Sequence, residues 1–121
     1  CDLLLVLGAN PWLAHGFTNA RQQLNAIVKD PNRRLLVVDP RRSETAELAD
    51  LHVAPRPGGD AYLLAALLAT LVRQDCIDEE FLAEHCTDWE AVKAVLLEVP
   101  IAWFARAADV PQETLKRMAQ M

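Results

Sequence analysis

Two uninterrupted aliphatic runs dominate the first third of the chain, at Leu3–Leu7 and Leu35–Val38. A strand without polar alternation is typical of a parallel sheet that is covered on both faces. Between the two runs, apolar positions recur at helical spacing from Thr18, the predicted N-cap, to about Val28. Such a helix supplies the crossover that a parallel strand pair requires. We therefore predict a β–α–β unit in which Leu3–Leu7 is a central strand.

The pattern becomes helical further along the chain. After a short acidic helix that follows Ser43, Leu51–Ala54 predicts a third strand. Leucines spaced by three and four predict a strong helix over Ala61–Gln74, with Asp60 as its N-cap. From Asp78 onward only helices are predicted. Three aromatic residues should fasten this last part onto the rest, namely Trp89, Trp103 and Phe104.

We therefore predict the α/β fold class, as one Rossmann-like three-layer domain over residues 1–121. Residues 1–75 form its nucleotide-binding part with a parallel sheet, and residues 76–121 form a helical C-terminal extension. The length of 121 residues and the hydrophobic content of 52% fit one globular domain. Because the first residues already lie in a predicted strand, we expect the chain to be a fragment of a larger subunit.

Charge and cysteine usage exclude several functions. The net charge of −5 argues against general binding to nucleic acid, which needs a basic surface. No apolar run approaches the roughly 18–20 residues of a transmembrane segment. The cysteines are three, an odd number without paired spacing, so we expect buried thiols and neither a disulfide framework nor a metal site. No residues have the spacing of a catalytic acid–base pair.

Three loops combine residue types that bind nucleotides, and each follows a strand or begins a helix. In open α/β sheets, ligands bind outside the carboxyl ends of the strands. We call these loops loop 1, loop 2 and loop 3. The candidate binding residues are Gly8, Ala9, Asn10 and Pro11 in loop 1, Asp39, Pro40, Arg41 and Arg42 in loop 2, and Gly58, Gly59 and Asp60 in loop 3.

The residue types suggest a division of labour among the loops. Backbone amides of Gly8–Asn10 would hold a phosphate, and the arginines of loop 2 would pair with it. Asp39 would accept hydrogen bonds from a ribose, and Asp60 would accept the N1–H and N2–H donors of a guanine. The alternative for each loop is an ordinary turn. For loop 1 this alternative stays open because the loop lacks a full G-x-G-x-x-G fingerprint. His15 is interpreted as a structural histidine.

The three motifs in order resemble the molybdopterin oxidoreductases, the dimethyl sulfoxide reductase superfamily that includes formate dehydrogenases and nitrate reductases. They read Leu-Gly-Ala-Asn-Pro, then Val-Val-Asp-Pro-Arg-Arg-Ser-Glu-Thr-Ala-Glu-Leu-Ala-Asp, then Arg-Pro-Gly-Gly-Asp-Ala. The helical tail from Ile77 to Pro111 also resembles the part that follows these motifs in the family. The resemblance thus covers nearly the whole chain, although Ala9 replaces a serine of many members, and Pro11 and His15 vary among subfamilies.

The resemblance implies a domain that holds the guanosine and pyrophosphate end of a molybdopterin guanine dinucleotide, with molybdenum or tungsten. Carried over by motif, the contacts come from Leu7–Ala14, Asp39–Ser43 and Gly58–Asp60. The metal is not ligated by this chain, and the family's iron–sulfur cluster is expected elsewhere in the parent chain. Expected partners are the remaining domains of the parent subunit and electron-transfer subunits. The isolated fragment should be inactive.

Two alternatives come from other classes of protein. The middle domain of thiamine-diphosphate enzymes also pairs a glycine loop after one strand with an aspartate at the end of the next. It would make the chain a nucleotide-binding or structural module without molybdenum. The second alternative is an interaction domain whose crevice binds nothing. The Pro-Gly-Gly-Asp loop and the two arginines after Asp39-Pro40 favour the first resemblance.

Overall fold

The computed structural model describes residues 1–14 and 18–121, which divide into two compact units, Cys1–Pro57 together with Met121, and Gly58–Gln120. Strands occur in the first unit and only helices in the second, so the predicted α/β class with a helical C-terminal part is confirmed. The predicted single domain with a boundary after residue 75 stays a prediction. The first unit contains β1 (Leu3–Leu7), α1 (Ala20–Lys29), β2 (Arg34–Val38), α2 (Glu44–Glu47) and β3 (Leu51–Val53), and the second contains α3 (Asp60–Arg73), α4 (Glu79–His85), α5 (Trp89–Glu98), α6 (Ile101–Ala108) and α7 (Gln112–Ala119).

The sheet of the first unit has three parallel strands in the order β1-β2-β3, as far as the described residues show. Leu5 is paired with Leu36, and Val38 is paired with Val53. The predicted parallel pairing is confirmed, but the central position predicted for β1 is wrong, because β1 lies at the sheet edge. Alternate side chains of β1 are 37–45% exposed. An aliphatic run predicts apolar surroundings on both faces but carries no information about neighbours within the sheet.

Helix α1 covers one face of this sheet and forms the core of the first unit. Leu24 and Ile27 pack with Val6, Leu35 and Val37, and Leu24 is completely buried. The side chains share one stripe of the helix because they are spaced by three residues. A parallel strand pair and its crossover helix therefore bury a single apolar layer.

The predicted N-cap of α1 is wrong. The helix begins at Ala20, and the preceding Asn19 has a left-handed φ of 56° without a side-chain capping hydrogen bond. The Thr18 carbonyl instead accepts a hydrogen bond of 2.7 Å from Gln23 Nε2. Asparagine tolerates the left-handed region, which shifts the start of the helix past the threonine.

Helix α3 is the centre of the second unit and packs against α5, α6 and α7. Most of its buried residues are leucines and alanines of the stripe that the spacing predicts, but Leu68, which the spacing also places in this stripe, is 48% exposed. Tyr62 makes edge-to-face contacts with Trp103 at 5.6 Å and Phe104 at 5.5 Å between ring centroids. These two aromatics therefore join α6 to α3, as predicted, whereas Trp89 donates its indole N–H to Glu79 in α4 over 3.0 Å.

Polar contacts connect the other helices of this unit. Arg73 Nη2 donates to the carbonyls of Leu97 at 2.7 Å and Val99 at 2.9 Å, at the C-terminal end of α5. Cations are favoured at this end because the last carbonyls carry negative partial charge. Glu79 forms an ion pair with Lys93, and the bonds from Lys93 and the Trp89 indole lower the pKa of this carboxyl. The C-terminal end of α5 and the α4–α5 pair are thus held by charged side chains.

The three cysteines are exposed and free, so the predicted buried thiols are wrong. Cys76 and Cys86 follow the last residues of α3 and α4, and Cys1 precedes β1. All three positions therefore lie outside the apolar faces of the helices and strands. Across residues 1–14 and 18–121, no helix has the length and apolarity needed to cross a membrane.

Candidate functional site

Loop 1 begins at Gly8, directly after β1. The Gly8 N–H donates to the Val38 carbonyl over 2.8 Å and so extends the ladder between β1 and β2. This N–H already donates within the sheet, so it is not available to a phosphate. Of the amides predicted to bind phosphate, those of Ala9 and Asn10 remain. Gly8 has a φ of +56°, and a Cβ added to it would meet no atom within 4 Å. Glycine is therefore favoured here by backbone conformation and not by lack of space.

The next residues of loop 1 present unpaired donors. The Asn10 carbonyl accepts from the amides of Leu13 at 3.1 Å and Ala14 at 2.8 Å, which closes a turn around the buried Pro11. The N–H groups of Ala9 and Asn10 donate to none of the described residues. Two adjacent amides at the tip of β1 are thus available to an anion. The predicted structural role of His15 lies outside the described residues.

Loop 2 begins at Asp39, which is held at three points. Its N–H donates to the Val53 carbonyl over 3.0 Å, and its own carbonyl is bonded to His52 Nε2 at 2.8 Å. Its Oδ1 accepts from the Arg41 amide at 2.8 Å, a local turn that aspartate favours. The second oxygen, Oδ2, accepts no hydrogen bond from the described residues. Asp39 therefore keeps one fixed acceptor for a ligand, such as a ribose hydroxyl.

The two arginines of loop 2 differ in their surroundings. Arg42 Nε lies 3.6 Å from Glu47 Oε1, and both side chains are about two-thirds exposed, at 66% and 65%. The Arg41 side chain is exposed and forms no hydrogen bond within the described residues. Arg41 therefore offers an unpaired guanidinium to a phosphate. A pocket of about 250 Å³ lies beside these side chains and is lined by Arg41, Arg42, Ser43, Glu44 and Glu47.

Loops 1 and 2 follow neighbouring strands, since Leu7 is paired with Val38, and the side chain of Asn10 joins loop 1 to α2, the helix that follows loop 2. Its Nδ2 donates to Glu44 Oε2 over 2.7 Å, and its Oδ1 accepts from the Thr45 hydroxyl over 2.7 Å. The Thr45 hydroxyl also accepts from the Trp12 amide over 3.1 Å. The structure therefore brings together two of the three predicted loops. Neither Glu44 nor Thr45 was predicted, because their partners lie more than 30 residues away in the sequence.

Glu44 gives this junction a negative charge. Its pKa is lowered, first by its own backbone N–H, then by the Asn10 carboxamide, and further by the nearby charge of Arg41. Hydrogen bonds to a carboxylate favour the charged form. At neutral pH, Glu44 is therefore an anion that accepts a hydrogen bond from Asn10, and it forms no ion pair with Arg41 within the described residues.

Loop 3 begins the second unit, where Gly58 has a φ of +80°. Asp60 is the first residue of α3, and the N-cap is Gly59, without a side-chain cap. The prediction that Asp60 caps this helix is therefore wrong, although an acid in the first turn still suits the helix dipole. The exposed Asp60 carboxylate makes no hydrogen bond to the described residues. The convergence of loop 3 with loops 1 and 2 stays a prediction.

The groups at loops 1 and 2 suit the diphosphate and ribose of a nucleotide. The amides of Ala9 and Asn10 and the guanidinium of Arg41 are donors without a partner among the described residues. The free Oδ2 of Asp39 can accept a hydrogen bond from a ribose hydroxyl. Within the described part of the chain, no group of three or more His, Cys, Asp or Glu residues could hold a metal ion.

Curated proteins similar to this chain share almost its full length. An assimilatory nitrate reductase of Haloferax mediterranei is 39% identical over 119 residues, which are 97% of this chain and 16% of that protein. The alpha subunit of F420-dependent formate dehydrogenase 2 of Methanococcus maripaludis is 29% identical over 120 residues, 99% of this chain and 17% of that protein. The chain thus spans 16–17% of the length of these relatives.

Among solved structures, acetylene hydratase from Pelobacter acetylenicus matches with a TM-score of 0.83 and 27% identity, over 98% of this chain and 16% of that one. All these proteins are molybdopterin enzymes of the dimethyl sulfoxide reductase family. The chain is homologous to one segment of the molybdopterin oxidoreductases. The resemblance inferred from the three motifs is thereby confirmed, and it is favoured over the thiamine-diphosphate alternative.

No family model matches the chain. The assignment to molybdopterin oxidoreductases therefore rests on individual relatives and on the shared fold. That family uses a pterin cofactor with molybdenum or tungsten.

Proposed function

We propose that this chain is part of the catalytic subunit of a molybdenum or tungsten oxidoreductase and binds the guanosine diphosphate end of a molybdopterin guanine dinucleotide. Ala9 and Asn10 bind the diphosphate through their amides, and Arg41 pairs with it. Asp39 accepts a ribose hydroxyl, and Asp60 of loop 3 binds the guanine edge. When bound, the cofactor supplies the metal and its redox chemistry, while this chain binds and orients the nucleotide end.

The junction at Asn10 is the observation that carries the proposal. It joins loop 1 to α2, the helix that follows loop 2, and the pairing of Leu7 with Val38 places the two loops at neighbouring strand ends. This supports a shared role for the free amides of loop 1 and the free acceptor of Asp39. The relatives named above act, by their names, on nitrate, formate and acetylene. A segment retained across such different substrates is suited to a task that they share, and cofactor binding is such a task.

The identity of the bound nucleotide tests the proposal. The full-length subunit would be purified with its cofactor and hydrolysed in acid, which cleaves the diphosphate and releases a nucleoside monophosphate. We expect about one or two equivalents of GMP per polypeptide, measured by chromatography and mass spectrometry. A subunit that releases no nucleotide, or a nucleotide other than GMP, would refute the proposed function.

Guanine recognition by Asp60 has a separate test. A carboxylate accepts both the N1–H and the N2–H of guanine, and the amide of an Asp60→Asn variant loses one acceptor. We expect this variant of the full-length apoprotein to lose most of its preference for GDP over ADP in calorimetric titrations. Asp109→Asn, an exposed aspartate after α6, is the matched control and should keep the preference. An unchanged preference in Asp60→Asn would exclude Asp60 as the guanine ligand.

The expected partners are the other domains of the subunit and its electron-transfer subunits. The pterin and the metal need groups from those domains, so the isolated chain has no turnover of its own. Part of a binding surface also binds weakly, because the cost of association is offset by fewer contacts. Activity assays of the isolated chain with formate or nitrate should therefore give background rates, and a rate above background would contradict this division of labour.

A further inference from the structure

Thr45 is a buried polar residue that formation of its own helix does not explain. It is 0% exposed, and its hydroxyl makes two hydrogen bonds, one to Asn10 Oδ1 in loop 1 and one from the amide of Trp12, the residue that follows loop 1. Helix α2 is instead capped by Ser43, whose Oγ accepts from the Ala46 amide over 3.3 Å. The Thr45 hydroxyl therefore serves a contact between loop 1 and α2.

Thr70 in α3 shows the ordinary alternative. It is also buried, at 4% exposed, and its hydroxyl donates to the carbonyl of Ala66, one turn earlier in the same helix, over 2.7 Å. Such a bond satisfies a buried threonine within its own helix. The two threonines are similarly buried, but the hydroxyl of Thr70 bonds within its own helix and the hydroxyl of Thr45 bonds to residues outside its helix.

The Asn10 side chain is correspondingly committed. Its Oδ1 is bonded to the hydroxyl of Thr45 at 2.7 Å and to the Thr45 amide at 3.3 Å, while its Nδ2 is bonded to Glu44. The orientation of this amide is consistent on both sides, since the NH₂ group faces a carboxylate and the oxygen faces two donors. The carboxamide thus holds α2, and the Asn10 backbone N–H is the group left for a ligand.

We propose that Thr45 is a positioning residue for the nucleotide site, and that it acts through the Asn10 side chain to fix the distance between loop 1 and loop 2. This inference rests on the proposed function. The free amides belong to loop 1, which Asn10 joins to α2, and the Arg41 guanidinium belongs to loop 2, which directly precedes α2. Their separation must match one diphosphate, so loosening the junction weakens binding without removing any group that contacts the ligand.

The test compares variants of the full-length apoprotein by calorimetric titration with GDP, alongside the melting temperature of each variant. Thr45→Val keeps the shape of the side chain and removes the hydroxyl, and we expect the Kd for GDP to rise about tenfold or more. Thr45→Ser keeps the hydroxyl and should bind within about threefold of wild type. Thr70→Val is the matched control: it also removes a buried hydroxyl and should lower the melting temperature while the Kd stays within about twofold.

A second variant covers the case in which Thr45→Val does not fold. Asn10→Asp keeps an acceptor for Thr45 but places a carboxylate against Glu44 on the partly exposed side of the junction. Like charges in contact repel, so GDP binding should weaken in this variant as well. If GDP binding is unchanged in Asn10→Asp, the junction does not position the loops.

The outcomes separate this inference from the proposed function. If the wild-type apoprotein does not prefer GDP to ADP, the proposed function fails, and the positioning role fails with it. If the wild type shows the preference and Thr45→Val keeps full affinity, only the positioning role fails. Equal weakening by Thr45→Val and Thr70→Val, or no rescue by Thr45→Ser, would also reduce Thr45 to a structural residue.

Discussion

Replacing Arg41 with glutamine tests whether its unpaired guanidinium binds a phosphate. The exposed side chain has no hydrogen bond within the described residues, so its removal costs the protein itself little. A charge-assisted hydrogen bond contributes about 1.5–3 kcal/mol, and an exposed pair lies at or below the low end of that range. We therefore assign Arg41 about 1–2 kcal/mol, which corresponds to an increase in the Kd for GDP of about 5- to 30-fold.

The neighbouring Arg42 provides an internal comparison. It already pairs with Glu47 at 3.6 Å, with both side chains about two-thirds exposed, at 66% and 65%. Because Arg42 is already paired with Glu47, we assign it at most the contribution of an exposed pair, about 0–1 kcal/mol, so Arg42→Gln should raise the Kd by about fivefold or less. Arg106→Gln, an exposed arginine of α6, serves as the control outside the site and should leave the Kd unchanged.

The assay is calorimetric titration of the full-length apoprotein with GDP at low and at raised salt. Added salt screens exposed charges, so it should weaken wild-type binding more than binding by Arg41→Gln. A phosphate contact of Arg41 is refuted if Arg41→Gln binds GDP within twofold of wild type, or if the Arg41 and Arg42 substitutions raise the Kd by the same factor.

Two further predictions concern stability. Leu24→Ala should lower the free energy of unfolding of the chain by about 2–5 kcal/mol, because Leu24 is completely buried in the core of the first unit. Leu13→Ala, at a 53% exposed position, should change it by about 0.5 kcal/mol or less. Urea denaturation measures both values, and equal effects would contradict the assigned core. In the folded state the pKa of Glu79 is lowered and that of Lys93 is raised. The contribution of this ion pair to the free energy of unfolding is therefore present between the ordinary pKa values of the two groups. It is lost as pH falls through the lowered pKa of Glu79. The stability difference between wild type and Glu79→Gln should thus be largest near neutral pH and disappear in acid, as followed by thermal melting across pH, and a difference that persists in acid would exclude the ion pair as its source.

The central parts of the fold could be predicted because they depend on local pattern. Leu35–Val38 is buried as a parallel strand because four aliphatic residues in a row suit no half-exposed surface. The stripe of α3 follows from leucines spaced by three and four. The position of β1 at the edge could not be predicted, because hydrogen bonding to a neighbour depends on backbone groups that every residue carries.

The first residues of the helices were harder to predict from the sequence, because the N-cap position depends on the backbone conformation of a single residue. Thr18 and Asp60 are both residues that favour the N-cap position, yet Asn19 and Gly59 occupy it. Each true cap lies next to the predicted one in the sequence. The physical choice between neighbours depends on φ and ψ angles fixed by the surrounding loop, which residue type alone does not determine.

The candidate site was predictable as a set of loops but not as a junction. Gly8, Asp39 and Arg41 could be predicted as candidates because the ligand contacts of α/β sheets lie at strand ends, and their role stays a prediction. Thr45, Glu44 and His52 could not be predicted, since each acts on a residue brought near it only by the fold. The ring of His52, for example, is bonded to the carbonyl of Asp39, the first residue of loop 2.

The hydrogen bonds at the junction bear on how the family could keep one segment across different reactions. Asn10, Glu44 and Thr45 bond to one another, and the groups left over are backbone amides, one carboxylate oxygen and one guanidinium. Such groups recognise a diphosphate and a ribose, which do not change with the substrate. Under the proposed function these loops serve a cofactor and not a substrate, which agrees with the similarity of this chain to segments of a nitrate reductase, a formate dehydrogenase and a hydratase. Under the proposed function, the residues that determine which reaction the parent enzyme catalyses lie outside the junction between loops 1 and 2.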